Sequence, residues 1–459
     1  MKKRFLGLCL AVLACLVILV ACGDENTPAV NDGEIGGTLR IMSFMDDPLI
    51  MATYFTYYHP DVEIDFIMTG MSEGAYQQQL QLMLAGGNDV PDIVMLDSSF
   101  VRQFVESPFM SDLGGMSGVL SDLDIFQFTI DAGTDDNGVI RAISHQAAPG
   151  VMYYRRSLAQ RYFGTDDPEV IQNYFRDMDA FLASSRQIGE RSNGDTFTIS
   201  SHIELSNLFF ANRATPWIVD NTLMIDDILH QYLDIAYAMR NEGLEAEIGT
   251  WGGEWYASFS DTMVDAHGNN RQIFSYFLPT WGLSHPLMDS AGDTAGDWAL
   301  IPGPLPYQWG GAWFAIPNNA QNPATAQAFL EFVFTEDFLT KWASGYFTNE
   351  RLRAIDSSLP ETLQFSGDFV SSDRVVRAVA PTMVGTPSYR FVGGQNPHDV
   401  FAQVSGSVSL DHIQSTDFIL NAAWTEAVTQ YVSGELSREA AIQSFIDSVR
   451  IDLPDLRIP

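Results

Sequence analysis

Apolar positions recur at helical spacing over residues 76–84, where Tyr76, Leu80, Met83 and Leu84 share one face. Gly86-Gly87 follow and can supply the left-handed residue that ends a helix. Residues 92–97 then carry the uninterrupted run Ile93-Val94-Met95-Leu96 of a buried strand. The stretch predicts helix, cap and strand. In an open α/β sheet ligands gather just beyond the carboxyl ends of the strands, so Asp97-Ser98-Ser99 is the first candidate site.

Upstream, 38–44 and 62–66 read as strands with a helix over 48–58 between them. The right-handed crossover rule makes a parallel sheet the economical topology for this β-α-β unit. Asn137-Gly138, ahead of the alternating run 139–143, predicts a hairpin whose type I′ turn needs positive φ at both central positions. The same stretch fails as a calcium loop. With Gly138 in the sixth position, the first and twelfth would be Gly133 and Ser144, neither of which offers a carboxylate.

From 151 the pattern is mostly helical, with one helix opened by Asp167-Pro168 and continued over 170–185, and an amphipathic one over 225–241. Residues 249–255 are a turn-rich interruption, 272–278 a strand with Trp281 just past its end, and 302–306 a rigid proline connector. A strand over 311–316 leads to a helix opened by Asn322-Pro323, with Ala326, Phe329, Leu330 and Val333 on one face. The last helices are predicted over 418–433 and, capped by Ser437, over 439–449 with the stripe Ile442, Phe445, Ile446 and Val449. The chain contains no repeat at solenoid or propeller period. At 459 residues such an α/β chain implies about two or three domains.

The amino terminus changes this picture. Lys2, Lys3 and Arg4 precede an apolar run over 5–20 that is of secretory length and short of a membrane span. The run ends in Leu19-Val20-Ala21-Cys22, which resembles a bacterial lipobox. That resemblance implies cleavage before Cys22 and a diacylglycerol on its sulfur, making residues 1–21 a signal peptide. Polar, Gly- and Pro-containing residues 22–35 then form a tether. Cleavage moves the net charge from −34 to about −37 and removes Cys9 and Cys15, so no disulfide is available. So acidic a chain repels nucleic acid and anionic headgroups, which leaves the acyl chains as the membrane attachment.

Catalytic signatures are lacking. The eight histidines show no two-histidine metal spacing, and neither a nucleophile elbow nor a phosphate-binding loop occurs. Lys341 is the one lysine left after cleavage, in a helical stretch with core-like neighbours. Adjacent carboxylates such as Asp226-Asp227 leave a glycosidase pair open, although in a chain with 58 acidic residues such pairs are usually surface.

Several landmarks resemble one family when taken in order. They are the tyrosine-led helix and the strand after Pro91-Asp92, here with Asn88-Asp89-Val90 inserted; the hairpin at Asp136-Asn137-Gly138 followed by Val151-Met152-Tyr153-Tyr154; and the strand that leads to Trp281. To these are added the connector 297–304, the return strand 310–316 and the terminal helices with 433–437 between them. Together they resemble the bacterial extracellular solute-binding proteins of carbohydrate ABC transporters, the maltose-binding-protein-like group. Tyr154 stands where that group usually has Asn, Ser144-His145 where a Pro commonly follows the hairpin, and Pro279-Thr280 where Gly-Ser precedes the tryptophan; 383–396 is longer than usual.

The resemblance implies an α/β, two-lobed periplasmic-binding-protein-like fold whose chain crosses between lobes at a hinge. One lobe would hold 36–144 and 309–345, and the other 145–308 and 346–459. It implies a monomer without cofactor or metal, lipid-anchored on the extracellular face of the cell membrane, that captures a sugar or oligosaccharide and passes it to an ABC permease. A non-sugar solute such as a peptide or polyamine, a surface glycoside hydrolase and a receptor-coupled sensory lipoprotein are the alternatives.

A sugar site needs aromatic platforms for C–H faces and carboxylate, amide or hydroxyl partners for edges. Trp251, Trp255, Trp281, Trp309 and Trp313 lie in Gly- or Pro-flanked stretches and are the platform candidates, with Trp281 at the group's stacking position; Phe44, just after the first strand, is another. Trp298, Trp342 and Trp424 read as core. Asp97, Ser98 and Asp46 are the candidate polar partners, with a capping or turn role the other reading of Asp46.

Overall fold

The computed structural model describes residues 33–458 apart from 88, 265–268, 362 and 364–366. The expected signal peptide and Cys22 therefore lie outside the described residues, as does most of the expected tether. Among the described residues no helix is long and apolar enough to cross a membrane.

Two sheets organise two lobes. The first has strand order Val62–Met68, Gly37–Ser43, Ile93–Asp97, Ala312–Ala315, Ile143–Ser144. Its first three strands pair in parallel as predicted, whereas the returning Ala312–Ala315 is antiparallel to both of its neighbours. Both faces of its inner strands Ile93–Asp97 and Ala312–Ala315 are buried, which is why these read as continuous apolar runs. Ile93, Met95, Ala312 and Phe314 enter one core, while Val94, Leu96, Trp313 and Ala315 enter another on the opposite face. The second sheet is antiparallel, with Pro149–Arg155 between Ser275–Pro279 and Trp298–Ile301, and Tyr307–Gln308 pairing to the same central strand. Val151 and Tyr153 face the core shared with the first sheet, Met152 and Tyr154 a core of their own.

Local chemistry explains most element ends. Gly87 takes φ +65° at the end of helix Ala75–Gly86, the left-handed cap that its sequence predicts. Ser437 Oγ accepts from Ala440 N and opens Arg438–Asp452. Asp226 accepts from Ile228 N and also from the amides of Ala214 and Thr215, so this member of the Asp226-Asp227 pair serves as a cap and a loop clamp. In the helix Pro323–Val333 the stripe Ala326, Phe329, Leu330 and Val333 is fully buried. Trp298, Trp342 and Trp424 are fully buried too.

Several expectations are corrected. The helix over 170–185 is two helices, Pro168–Tyr174 and Met178–Ser192, because Asp177 turns extended and its carboxylate accepts from Ala180 N to start the second. The strand over 272–278 is divided between two sheets: Gln272–Ile273 pairs with Thr196–Phe197, and Ser275–Pro279 with Pro149–Arg155. The turn-rich 249–255 already contains the start of helix Gly253–Phe259. At the hairpin only Gly138 has positive φ; the Asp135 carboxylate accepts from Asn137 N and Val139 N and holds the turn without a left-handed Asn137. In the last helix Ala441, Phe445 and Val449 are buried, and Ile442 and Ile446 only half-buried. Helix Asn349–Ile355 packs on Asp47–Tyr58 of the first lobe, although the sequence reading assigns 346–459 to the second.

The chain passes between sheets at 145–148 and 309–311, and a third segment joins these passages. Ala147 N donates to Phe369 O and Ser371 N to His145 O, while Trp309 N donates to Ala148 O. Within the first lobe, buried Asp92 bonds two remote segments, accepting from Arg40 N at 2.9 Å and from Asn322 N at 2.6 Å. A buried charged acceptor of two amides contributes more than a neutral one. Asp92→Ala is expected to lower the unfolding free energy by about 2–4 kcal/mol, read by urea titration, with the far-ultraviolet dichroism of the folded state kept.

Candidate functional site

Between the lobes lie two adjoining cavities of about 350 and 990 Å³ that share Asp97, Trp281 and Gly310 as a common wall. The smaller is lined by Phe44, Asp47, Gln146, Ser284 and Asp368 among others. The larger runs on between Ser98, Arg102 and Gln103 on one side and Asn207, Gln308, Trp309 and Asn421 on the other.

Asp97 is placed by the strand that ends at it. Its carbonyl accepts from Phe100 N at 3.0 Å, and its Oδ1 accepts from Ser99 N at 2.9 Å and Ser99 Oγ at 2.6 Å. Burial raises its pKa above the ordinary carboxylate value, against the lowering effect of those bonds. Trp281 is fixed by an indole N–H bond of 3.1 Å to the carbonyl of Trp309. The backbone passes close beside it at Gly310, whose φ is +78° and whose added Cβ would lie 2.9 Å from Trp281 Nε1. Only glycine fits both demands.

Four of the predicted tryptophans gather here. Trp251 stacks on Trp281 with centroids 6.0 Å apart and planes at 13°, and Trp309 meets both rings edge-on. Trp251 is 45% exposed, whereas Trp255, 5.2 Å from it, is fully buried and backs the cluster without a free face. Trp313 is also fully buried, its indole donating to Thr129 O at 2.8 Å; it is a core residue of the first lobe, not a cleft platform. Asp46 is exposed at the start of helix Asp47–Tyr58, makes no side-chain cap bond and does not line either cavity. Its neighbour Asp47 is the residue that reaches the cleft.

Asp47, Gln146 and Asp368 escaped the sequence reading because their proximity arises only when 145–147 and 369–371 pair. Gln146 Nε2 donates to Asp368 Oδ2, and Phe369 N donates to Oδ1 at 2.7 Å. Behind them His145 is fully buried between Phe314 and Trp342, with ring centroids at 5.3 and 5.6 Å, and neither ring nitrogen has a hydrogen-bond partner among the described residues. Asp47, His145 and Asp368 each offer one atom within 4.8 Å of the others'. Burial, then the charges of Asp368 and Asp46, raise Asp47 to about 8. Burial raises Asp368 to about 7, partly offset by its bonds from Phe369 N and Gln146, and lowers His145 to about 3.

A carboxyl whose folded pKa is raised keeps a proton that the unfolded chain has already lost, so its contribution to stability falls as pH rises from about 4 through about 8. Asp47→Asn is therefore expected to raise the melting temperature of the ligand-free protein, by more at pH 8 than at pH 5. An equal effect at both pH values would mean that Asp47 is ionised throughout in the fold.

A family model described as bacterial extracellular solute-binding protein matches residues 51–351. Among solved structures, an extracellular solute-binding protein of family 1 superposes with a TM-score of 0.74 at 18% identity, over 90% of this chain and 99% of that one. The galacto-N-biose-/lacto-N-biose I-binding protein of a Bifidobacterium longum ABC transporter, in complex with lacto-N-biose, gives 0.67 at 14% identity over 93% and 100%. Maltose-bound MalE3 of T. maritima gives 0.61 at 14% over 91% and 100%. At these identities the structures establish a shared two-lobed fold, and the family model spans well over half of the sequence: the chain belongs to the bacterial extracellular solute-binding proteins.

Proposed function

We propose that this protein captures a sugar or oligosaccharide in the inter-lobe cleft and delivers it to an ABC permease. The observation that carries the reading is the lining of the two adjoining cavities, where Trp281 and Trp309 offer aromatic surface beside the carboxylate and amide groups of Asp97 and Gln308. Aromatic faces suit the C–H faces of pyranose rings and the polar groups suit their hydroxyls. The sugars named for the structural neighbours, lacto-N-biose and maltose, support the same reading. Micromolar capture needs about 8 kcal/mol, more than one platform supplies, so ligand must engage both lobes and hold them closed.

A thermal-shift screen over sugars, amino acids, peptides and polyamines tests the reading, with neutral or amino sugars expected to stabilise the protein. Stabilisation by non-sugar solutes alone would overturn the sugar assignment, and progressive cleavage of a bound oligosaccharide would overturn the transport role in favour of hydrolysis. Trp281→Ala is expected to weaken binding about tenfold, by isothermal titration, because a well-stacked platform contributes about 0.5–1.5 kcal/mol beyond the area it buries.

The same proposal places the protein on the outer face of the cell membrane, held by acyl chains on Cys22 with 22–35 as the tether. It is supported by the lipobox-like Leu19-Val20-Ala21-Cys22 and by the family's extracellular character. Expressed in a bacterial host, Cys22→Ser is expected to move the protein from the membrane pellet to the soluble fraction. Retention in the pellet would count against the anchor.

A further inference from the structure

The smaller cavity has a chemistry that a neutral sugar does not use. Asp47, Asp97 and Asp368 all line it, and no lysine or arginine does so among the described residues. Asp47 makes no side-chain hydrogen bond among the described residues; its Oδ2 lies 4.0 Å from Nε2 of His145. The imidazole behind it is fully buried and, among the described residues, both of its nitrogens are unpartnered, a cost in free energy that a donor to its lone-pair nitrogen reduces.

We propose that Asp47, His145 and Asp368 form a receptor for a protonated primary amine, so that the captured solute is an amino sugar with its amine free. This deepens, and rests on, the sugar-capture reading above. The spacing admits an ammonium. A tetrahedral ammonium whose acceptors sit at about 2.8 Å holds them about 4.6 Å apart, whereas a tetrahedral zinc with ligands at about 2.1 Å draws them to about 3.4 Å. Asp47 Oδ2 and His145 Nε2 are 4.0 Å apart, wider than the zinc value, and the whole set lies within 4.8 Å, which accommodates the ammonium.

An ammonium has three donors and no acceptor, which matches the Asp47 and Asp368 carboxylates on the cavity wall and the imidazole lone pair of His145 behind Asp47. Trp281 and Phe44 on the same cavity add aromatic faces, which attract a cation. The sugar ring would then extend from the small cavity past Trp281 toward the larger one.

The test is isothermal titration of the full chain with glucosamine and its β-1,4-linked dimer, their N-acetylated counterparts, maltose, putrescine and zinc chloride. The free-amine sugars are expected to bind about 30-fold or more tightly than the acetylated and neutral ones. Asp47→Asn and Asp368→Asn should each abolish that preference, and circular dichroism of both variants confirms that they remain folded. Neutral or acetylated sugars binding as tightly as the amines would overturn the amine receptor and leave sugar capture standing. Putrescine binding that both variants abolish, with no sugar bound, would support the receptor and overturn sugar capture. Zinc alone binding tightly through the same three residues would overturn the proposal in favour of a metal site, and absence of binding by every amine would overturn it outright.

Discussion

Residues 145–148, 309–311 and 369–372 run together where the lobes meet, and the backbone hydrogen bonds among them position everything else in the cleft. Ser144 Oγ adds a bond to the carbonyl of Ala312, and Ser371 Oγ one to that of Ser144, so the first-lobe ends of the passages are tied as well. Backbone paired in this way bends more readily than it splays, which suits a hinge whose two walls must keep their register while they close. The same pairing sets Gln146 beside Asp368 and buries His145 beneath both.

Burial without compensation is the second theme of the cleft. Two buried arginines elsewhere are paired: Arg155 bonds Asp261 and Asp297, and Arg213 bonds Asp417 while lying over Trp217. In the small cavity no lysine or arginine among the described residues faces the carboxyls, and burial shifts them toward their neutral forms. The described residues include no cysteine, so the stability that offsets this arrangement comes from the cores. One of them runs from Leu39 and Ile41 of the first sheet through Phe314 to Val151 and Tyr153 of the second.

How much of this could be read from the sequence follows from what is local. The helix, left-handed glycine and buried strand leading to Asp97 are set by neighbouring residues, and so are the Ser437 cap and the stripe of Pro323–Val333. The break at Asp177 was missed because the apolar spacing runs through it, and a cap competes with helix continuation at single-residue range. Glycine flanking marked Trp281 and Trp309, which line the cavities, but also Trp255 and Trp313, which are fully buried, because glycine reports backbone conformation and close approach, not exposure to solvent. At Gly310 and Gly311 the positive φ values bring the chain against the rings of Trp281 and Trp313 respectively. The cluster of Asp47, His145 and Asp368 left no trace at all, since its members are brought together by strand pairing across more than half of the chain.

The wall shared by the two cavities bears on which solutes win. Asp97, Trp281 and Gly310 border both spaces, so two separate small molecules would compete for the same surface, whereas one molecule bridging the wall uses each side of it once. For joined rings the second contact forms at an effective concentration on the order of millimolar, set by the linkage and not by the surroundings. Such a cleft favours short chains over their component units even when each unit alone is held weakly, which makes it a length filter as well as a chemical one.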